Sequence, residues 1–233
     1  YLTYTNEGMP IGAFWGYKTD GLIQTQEQLN AVKRADFQPN AELGDVLFVD
    51  TNGDGKLDSS DRCMIGNPIP DIIYGINMGM AWKGFDLNLQ FGGTIGNQIF
   101  NAMRYYTYFP NDITNKDRAL MNYWTPNNTN TDIPRLTATD VNDNDRFSDM
   151  YVENGTYFRL RNAQLGYTLP ASLTQRIKLQ KVRFYVSGQN LFTISSYSGM
   201  DPEVGQSSSL SRGIDYGIYP QNISFTGGIN VTF

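Results

Sequence analysis

Apolar and polar residues alternate strictly along several stretches of this chain. From Asn222 to Phe233, Ile223, Phe225, Gly227, Ile229, Val231 and Phe233 fall on one side. Asn222, Ser224, Thr226, Gly228, Asn230 and Thr232 fall on the other, and the stretch carries no charge. A period of two over a whole segment predicts a strand with two unlike faces. An ordinary half-buried strand has this pattern too, so its repetition elsewhere decides the reading. Tyr74, Ile76, Met78, Met80 and Trp82 share a face opposite Gly75, Asn77, Gly79 and Ala81. After Lys83-Gly84, a tight-turn pair, Phe85, Leu87, Leu89 and Phe91 resume the apolar face opposite Asp86, Asn88, Gln90 and Gly92. Two large-residue strands unbroken by charge on one face, each about ten residues long, suit a tilted bilayer crossing with hydrocarbon on one side and water on the other. Trp82 and Phe85 flank the turn, where an interfacial aromatic girdle would lie.

Two further strands follow. In Gly155–Leu169, Phe158 and Leu160 sit in one register and Ala163, Leu165 and Tyr167 in the other, which predicts a bulge or a rim segment near Asn162. Then Val182, Phe184, Val186 and Gly188 alternate with Arg183, Tyr185, Ser187 and Gln189. A sixth strand ending near Thr5 is a weaker expectation. The links alternate in length: Lys83-Gly84 and 170–180 are short, 98–156 and 193–221 long. Short turns at one end and long loops at the other are the plan of an outer-membrane barrel. Five or six strands close no barrel, so the segment needs strands supplied elsewhere. The expected fold class is all-β, a partial transmembrane antiparallel β-barrel with long extracellular loops. Tyr1 is no initiator and no signal peptide is visible, so the chain is expected to be a piece of something longer or a processed product.

One stretch carries candidate chemistry. Asp50-Thr51-Asn52-Gly53-Asp54-Gly55-Lys56-Leu57-Asp58-Ser59-Ser60-Asp61 fits the calcium-loop template. Side-chain oxygens would come from Asp50, Asn52 and Asp54, a backbone carbonyl from Lys56, a direct or water-bridged contact from Asp58, and closure from Asp61. Gly55 stands at the sharp turn. The flanks are not two helices, so residues 45–62 are expected to form a calcium-type loop with a structural role. The alternative is an Asp/Gly-rich turn that binds nothing. Thr25 and Gln28 have capping-box spacing for a short helix through about Ala35. In 98–156, the run Arg104-Tyr105-Tyr106-Thr107-Tyr108-Phe109, Trp124 and the Asn/Asp-rich segment could stack on a sugar, though packing of loop on loop is the plainer reading.

Composition narrows the chemistry. Charged residues are 18% of 233, below the usual quarter of a soluble domain. The net charge of -5 makes nucleic acid an unexpected partner. With no histidine, the commonest general base and transition-metal ligand is missing. Cys63 is the only cysteine, so it has no internal disulfide partner and no histidine to activate it.

The string from Gly44-Asp45 through Asp61, the Ile65-Gly66-Asn67-Pro68-x-Pro70-Asp71 break and Lys83-Gly84-Phe85-Asp86-Leu87 resemble the SusC/RagA family. So do Glu153-Asn154-Gly155-Thr156-Tyr157-Phe158-Arg159-Leu160-Arg161-Asn162, Val186-Ser187-Gly188-Gln189-Asn190-Leu191-Phe192 and the final strand. These are TonB-dependent nutrient importers of the Bacteroidetes outer membrane. The resemblance implies the carboxy-terminal strands of a 22-stranded barrel, lacking plug and TonB box. It also implies a SusD-like lipoprotein partner, contact with the TonB complex through the missing amino-terminal region, a surround of outer-membrane lipid, and an oligosaccharide or peptide cargo. No catalytic residue is expected. A glycoside hydrolase would need two carboxylates set across a cleft, and the acids here lie mostly in the two Asp-rich loops. The remaining alternative is a soluble calcium-stabilised β-sandwich adhesin or surface glycan-binding module, which the unbroken apolar faces oppose.

Overall fold

The computed structural model describes residues 1–109, 115–205 and 210–233. Residues 110–114 and 206–209, within the two stretches expected as long loops, lie outside the described residues. The chain divides into two units. One comprises Pro70–Asn97, Gly155–Pro202 and Tyr219–Phe233; the other comprises Tyr1–Ile69, Gln98–Asn154 and Glu203–Ile218.

The first unit is a five-stranded antiparallel meander. Its strands are β1 (Ile72–Trp82), β2 (Phe85–Ile95), β3 (Tyr157–Thr168), β4 (Lys181–Ser195) and β5 (Ser224–Thr232), each paired with its neighbour in sequence. Lys83 and Gly84 both take positive φ, 45° and 89°, which a two-residue turn of right-handed twist requires. The register stacks like on like. Met80, Leu87, Leu165, Val186 and Gly227 form one row, and Gly79, Asn88, Gln164, Ser187 and Thr226 form a row of the opposite face. The bulge lies where the pattern changes phase, with Leu160 opposite Phe91 and Asn162 opposite Gln90. Without the extra residue, Ala163 and Leu165 would point away from Leu160. With it, both sets share the apolar face. On β4 the matching irregularity puts Asn190 at φ 52°.

The second unit is built as a protein core. Ala13–Gly16 pairs with Cys63–Gly66, and Thr19–Leu22 with Val46–Phe48. Gln98–Asn101 lies between Val152–Asn154, antiparallel, and Ile214–Asp215, parallel. Phe14, Ile65, Phe100, Tyr151 and Ile214 pack in one buried cluster; Leu22, Phe37, Val46, Phe48 and Trp124 pack in another. The described residues within 98–156 are therefore more than a bare loop: they supply two strands, helix α2 (Ala102–Thr107) and a large share of the core. The sixth strand expected near Thr5 does not join the five. Thr3 and Tyr4 pair with Phe14 and Ala13 of the core unit instead. Helix α1 (Gln26–Arg34) carries the expected capping box, in which the Gln28 N–H donates to Thr25 Oγ1 at 3.2 Å. Several buried polar side chains are bonded across the unit. Asp45 accepts from Arg135 Nε at 2.6 Å and Asn144 Nδ2 at 3.1 Å, and Gln38 accepts from the Phe48 N–H at 3.0 Å.

Candidate functional site: a two-faced sheet and an acidic loop

The sheet displays its apolar face. Phe225 is 80% exposed, Trp82 69%, Ile229 59%, and Ile76 and Phe85 47% each. Among the described residues no core covers these side chains, as the alternation requires if their solvent is hydrocarbon. A row at the turn end joins Trp82, Phe85, Tyr167, Phe184 and Ile229, with the Phe85 and Tyr167 rings 4.5 Å apart. Near the other end Tyr74, Phe91, Phe158 and Phe192 make ring contacts, Phe91 to Phe158 at 5.2 Å. Trp82 and Tyr74 are eight residues apart, about 27 Å along a strand. At the tilt of an outer-membrane barrel that projects to roughly 20 Å, most of the ~25 Å apolar band such barrels present between aromatic girdles.

The opposite face is polar and carries built ion pairs. Arg183 Nε donates to Asp86 Oδ1 at 2.9 Å across the intervening strand. Gly166 makes this possible: a Cβ there would come within 2.6 Å of atoms of both side chains. Nearer the opposite end, the buried Arg159 donates to Thr193 Oγ1 at 2.8 Å and to Asp201 Oδ1 at 2.5 Å, while Asp201 Oδ2 accepts from the Gln221 N–H at 2.9 Å. That cluster fixes both the start and the end of the connection between β4 and β5. Sequence spacing did not reveal either pair, because their partners lie 97 and 42 residues apart.

In the acidic loop, the candidate residues hold the backbone. Asp50 accepts from the N–H groups of Gly53 at 2.6 Å and Gly55 at 2.8 Å; Asn52 accepts from Asp54, and Asp54 from Lys56. Asp58 accepts from Ser60, and buried Asp61 accepts from Thr51 and Asp58. The N–H of Gly55, with Gly53 adding to it, holds the Asp50 carboxyl below its ordinary value, and Ser60 does the same for Asp58. Among the described residues, no three Asp, Glu, His or Cys groups gather as a preformed metal cluster. The donor set still suits a hard cation in kind, with Asp50, Asn52, Asp54 and Asp58 side chains and the Lys56 carbonyl all on one tight loop. Asp61 lies buried at the loop base. Of the aromatic residues that could have met a sugar, Phe109 and Trp124 are buried in the core unit. Cys63 is half-buried, and burial pushes its thiol above its ordinary value.

A five-stranded meander with an outward apolar band, two aromatic girdles and a polar reverse face is part of the wall of an outer-membrane β-barrel. No protein-family model matches the sequence. Curated relatives do. The chain is 39% identical to TonB-dependent receptor P3 of Formosa agariphila over 97% of its own length and 22% of the receptor's. It is 29% identical to TonB-dependent receptor SusC of Bacteroides thetaiotaomicron over 84% of its length and 18% of the receptor's. Its whole length superposes on 24% of a chain in a structure of the RagAB peptide transporter, with a TM-score of 0.72 at 24% identity, a likeness of fold. The chain belongs to the TonB-dependent receptors of the SusC/RagA family, and it spans about a quarter or less of the length of these relatives.

Proposed function

We propose that this chain supplies one sector of wall and external loop to an outer-membrane importer of oligosaccharides or peptides. The receptor would work with a SusD-like surface lipoprotein and draw energy from the TonB complex through segments outside this chain. The observation that carries the reading is the sheet's division into a lipid face and a water face, in a chain so similar to named TonB-dependent receptors. Nothing in this reading makes or breaks a covalent bond; the sheet contributes a channel wall. The short turns face the periplasm and the long links face outward, the arrangement usual for such barrels. The test is uptake by cells lacking the full-length receptor, supplied with labelled oligosaccharide or peptide mixtures. Loss of uptake of one class, restored by the receptor gene only when TonB is active, supports the reading; unchanged uptake of both classes sinks it.

The loop at 50–61 we read as a structural calcium site, formed by Asp50, Asn52, Asp54, Lys56, Asp58 and Asp61. Support comes from its oxygen-rich sequence and from Gly53 and Gly55, whose φ of 77° and 78° give the tight path such loops need. Asp54→Ala should loosen residues 45–71 to protease without preventing membrane insertion. Equal proteolysis of the parent with and without chelator would leave the loop an ordinary acidic turn.

A further inference from the structure

The short-turn end of the sheet is rimmed with cations. Lys83 stands in the β1–β2 turn, its ammonium 4.8 Å from the centre of the Trp82 ring. Arg176 and Lys178 project from the connector between β3 and β4, and Lys181 opens β4; all four side chains are exposed. These links lie side by side. The Thr168 N–H donates to the Gly84 carbonyl at 2.7 Å, and the Gln180 N–H to the Thr232 carbonyl at 2.9 Å. No acidic residue occurs between Gly155 and Met200. Asp86, which follows the turn, is on the polar face and is held by Arg183. None of the four rim cations has an ion-pair partner among the described residues.

The apolar face beside this rim is not smooth. A hollow of about 420 Å³ is walled by Phe85, Tyr167, Phe184 and Ile229. Through Leu165 and Val186 it continues into a second of about 370 Å³, where Ala163, Gly188 and Gly227 leave room between larger neighbours. A trough of hydrocarbon character ending at a cluster of unpaired cations is complementary to a molecule with an anionic head and an apolar tail.

We propose that this rim and trough bind an anionic phospholipid, with its phosphate among Lys83, Arg176, Lys178 and Lys181 and one acyl chain along β3–β5. Exposed cations beside an anionic lipid surface each strengthen attachment roughly fivefold. The trough adds apolar contact that a soluble anion could not use. The inference rests on the short-turn end facing the inner, phospholipid leaflet, and labelling of Lys178→Cys on intact cells with an impermeant maleimide tests that separately.

The experiment reconstitutes the full-length receptor in phosphatidylcholine vesicles containing a minority of phosphatidylglycerol. It is then extracted in mild detergent, and the retained lipid is identified by mass spectrometry. Phosphatidylglycerol should be enriched at least about fivefold over its share in the vesicle, the effect of a single cation, and high salt should reduce the enrichment, because the sites are exposed. Combining Lys83→Gln, Arg176→Gln, Lys178→Gln and Lys181→Gln should return the retained lipid to the vesicle composition, and Val186→Trp should lower total retention by filling the trough. Retention in vesicle proportions by the parent receptor overturns the proposal. So does an enrichment insensitive both to salt and to the fourfold change. The salt series needs no variant, so a misfolded variant does not decide the outcome.

Discussion

The two units use the same kinds of side chain in opposite ways. In the core unit Phe14 and Phe100 are fully buried, packed edge to face with ring centres 6.0 Å apart. In the sheet unit, phenylalanines such as Phe225 and Phe85 stand on an uncovered face. Polar residues are reversed too. The core unit buries Gln38, Asp45 and Asn144 and bonds each of them, whereas the sheet gathers its Asn, Gln, Ser and Thr on one face. Composition alone does not separate the units. The difference lies in the medium each is built for: protein packing satisfies one, and lipid against water satisfies the other.

Mutations that act on one unit alone should separate them. The largest effect is expected from Phe100→Ala, which opens a cavity in the core unit and costs about 3–5 kcal/mol. Limited proteolysis of the full-length receptor in membranes should then cut residues 1–69 and 98–154 readily while the sheet stays inserted. Next comes Leu165→Arg on the apolar face, costing about 2–4 kcal/mol near the bilayer midplane. Its neighbour Gln164→Arg, on the water face, should be close to neutral. Urea titration of vesicle-folded receptor, followed by heat-modifiable migration on gels, compares the pair; equal effects would mean that the two faces share one environment. Thr25→Ala removes the α1 cap and should cost about 1 kcal/mol, visible as faster proteolysis around residues 26–34 only.

The smallest effect concerns acid. Asp50 and Asp58 are held below their ordinary value near 3.8 by backbone N–H groups of the loop. Carboxyls depressed on folding add stability that is present above that ordinary value and is lost as pH falls through the folded one. Protease sensitivity of residues 45–62 should therefore rise only below about pH 4, while the sheet, which has no part in that loop, stays unchanged.

Much of the sheet was legible because period-two alternation depends only on neighbours along the chain. All five strands, the Lys83-Gly84 turn and the bulge near Asn162 follow from it. The core unit was far less legible. Its strands are two to four residues long, too short for a pattern, and they pair across long intervals, as when Phe100 meets Ile214. Thr3 and Tyr4 look like the end of a barrel strand, yet their backbone partners are Ala13 and Phe14. The ion pairs Asp86–Arg183 and Arg159–Asp201 were invisible for the same reason. The basic rim could have been noticed from the acid-free run between Gly155 and Met200, but its meaning depends on which side chains the turns bring together.

The central claim is that one face of the sheet meets lipid and the other meets water. Nitroxide labels placed singly at 182–188 and 224–231 of the full-length receptor, with Cys63 replaced by serine, test it most directly in membranes. Collision with oxygen should peak at 184 and 186 and at 225, 229 and 231, while collision with a water-soluble nickel complex should peak at 183, 185 and 187 and at 226 and 230. Two signals that rise and fall in phase, or labels at 184, 186, 225 and 229 shielded from both reagents, would contradict the account.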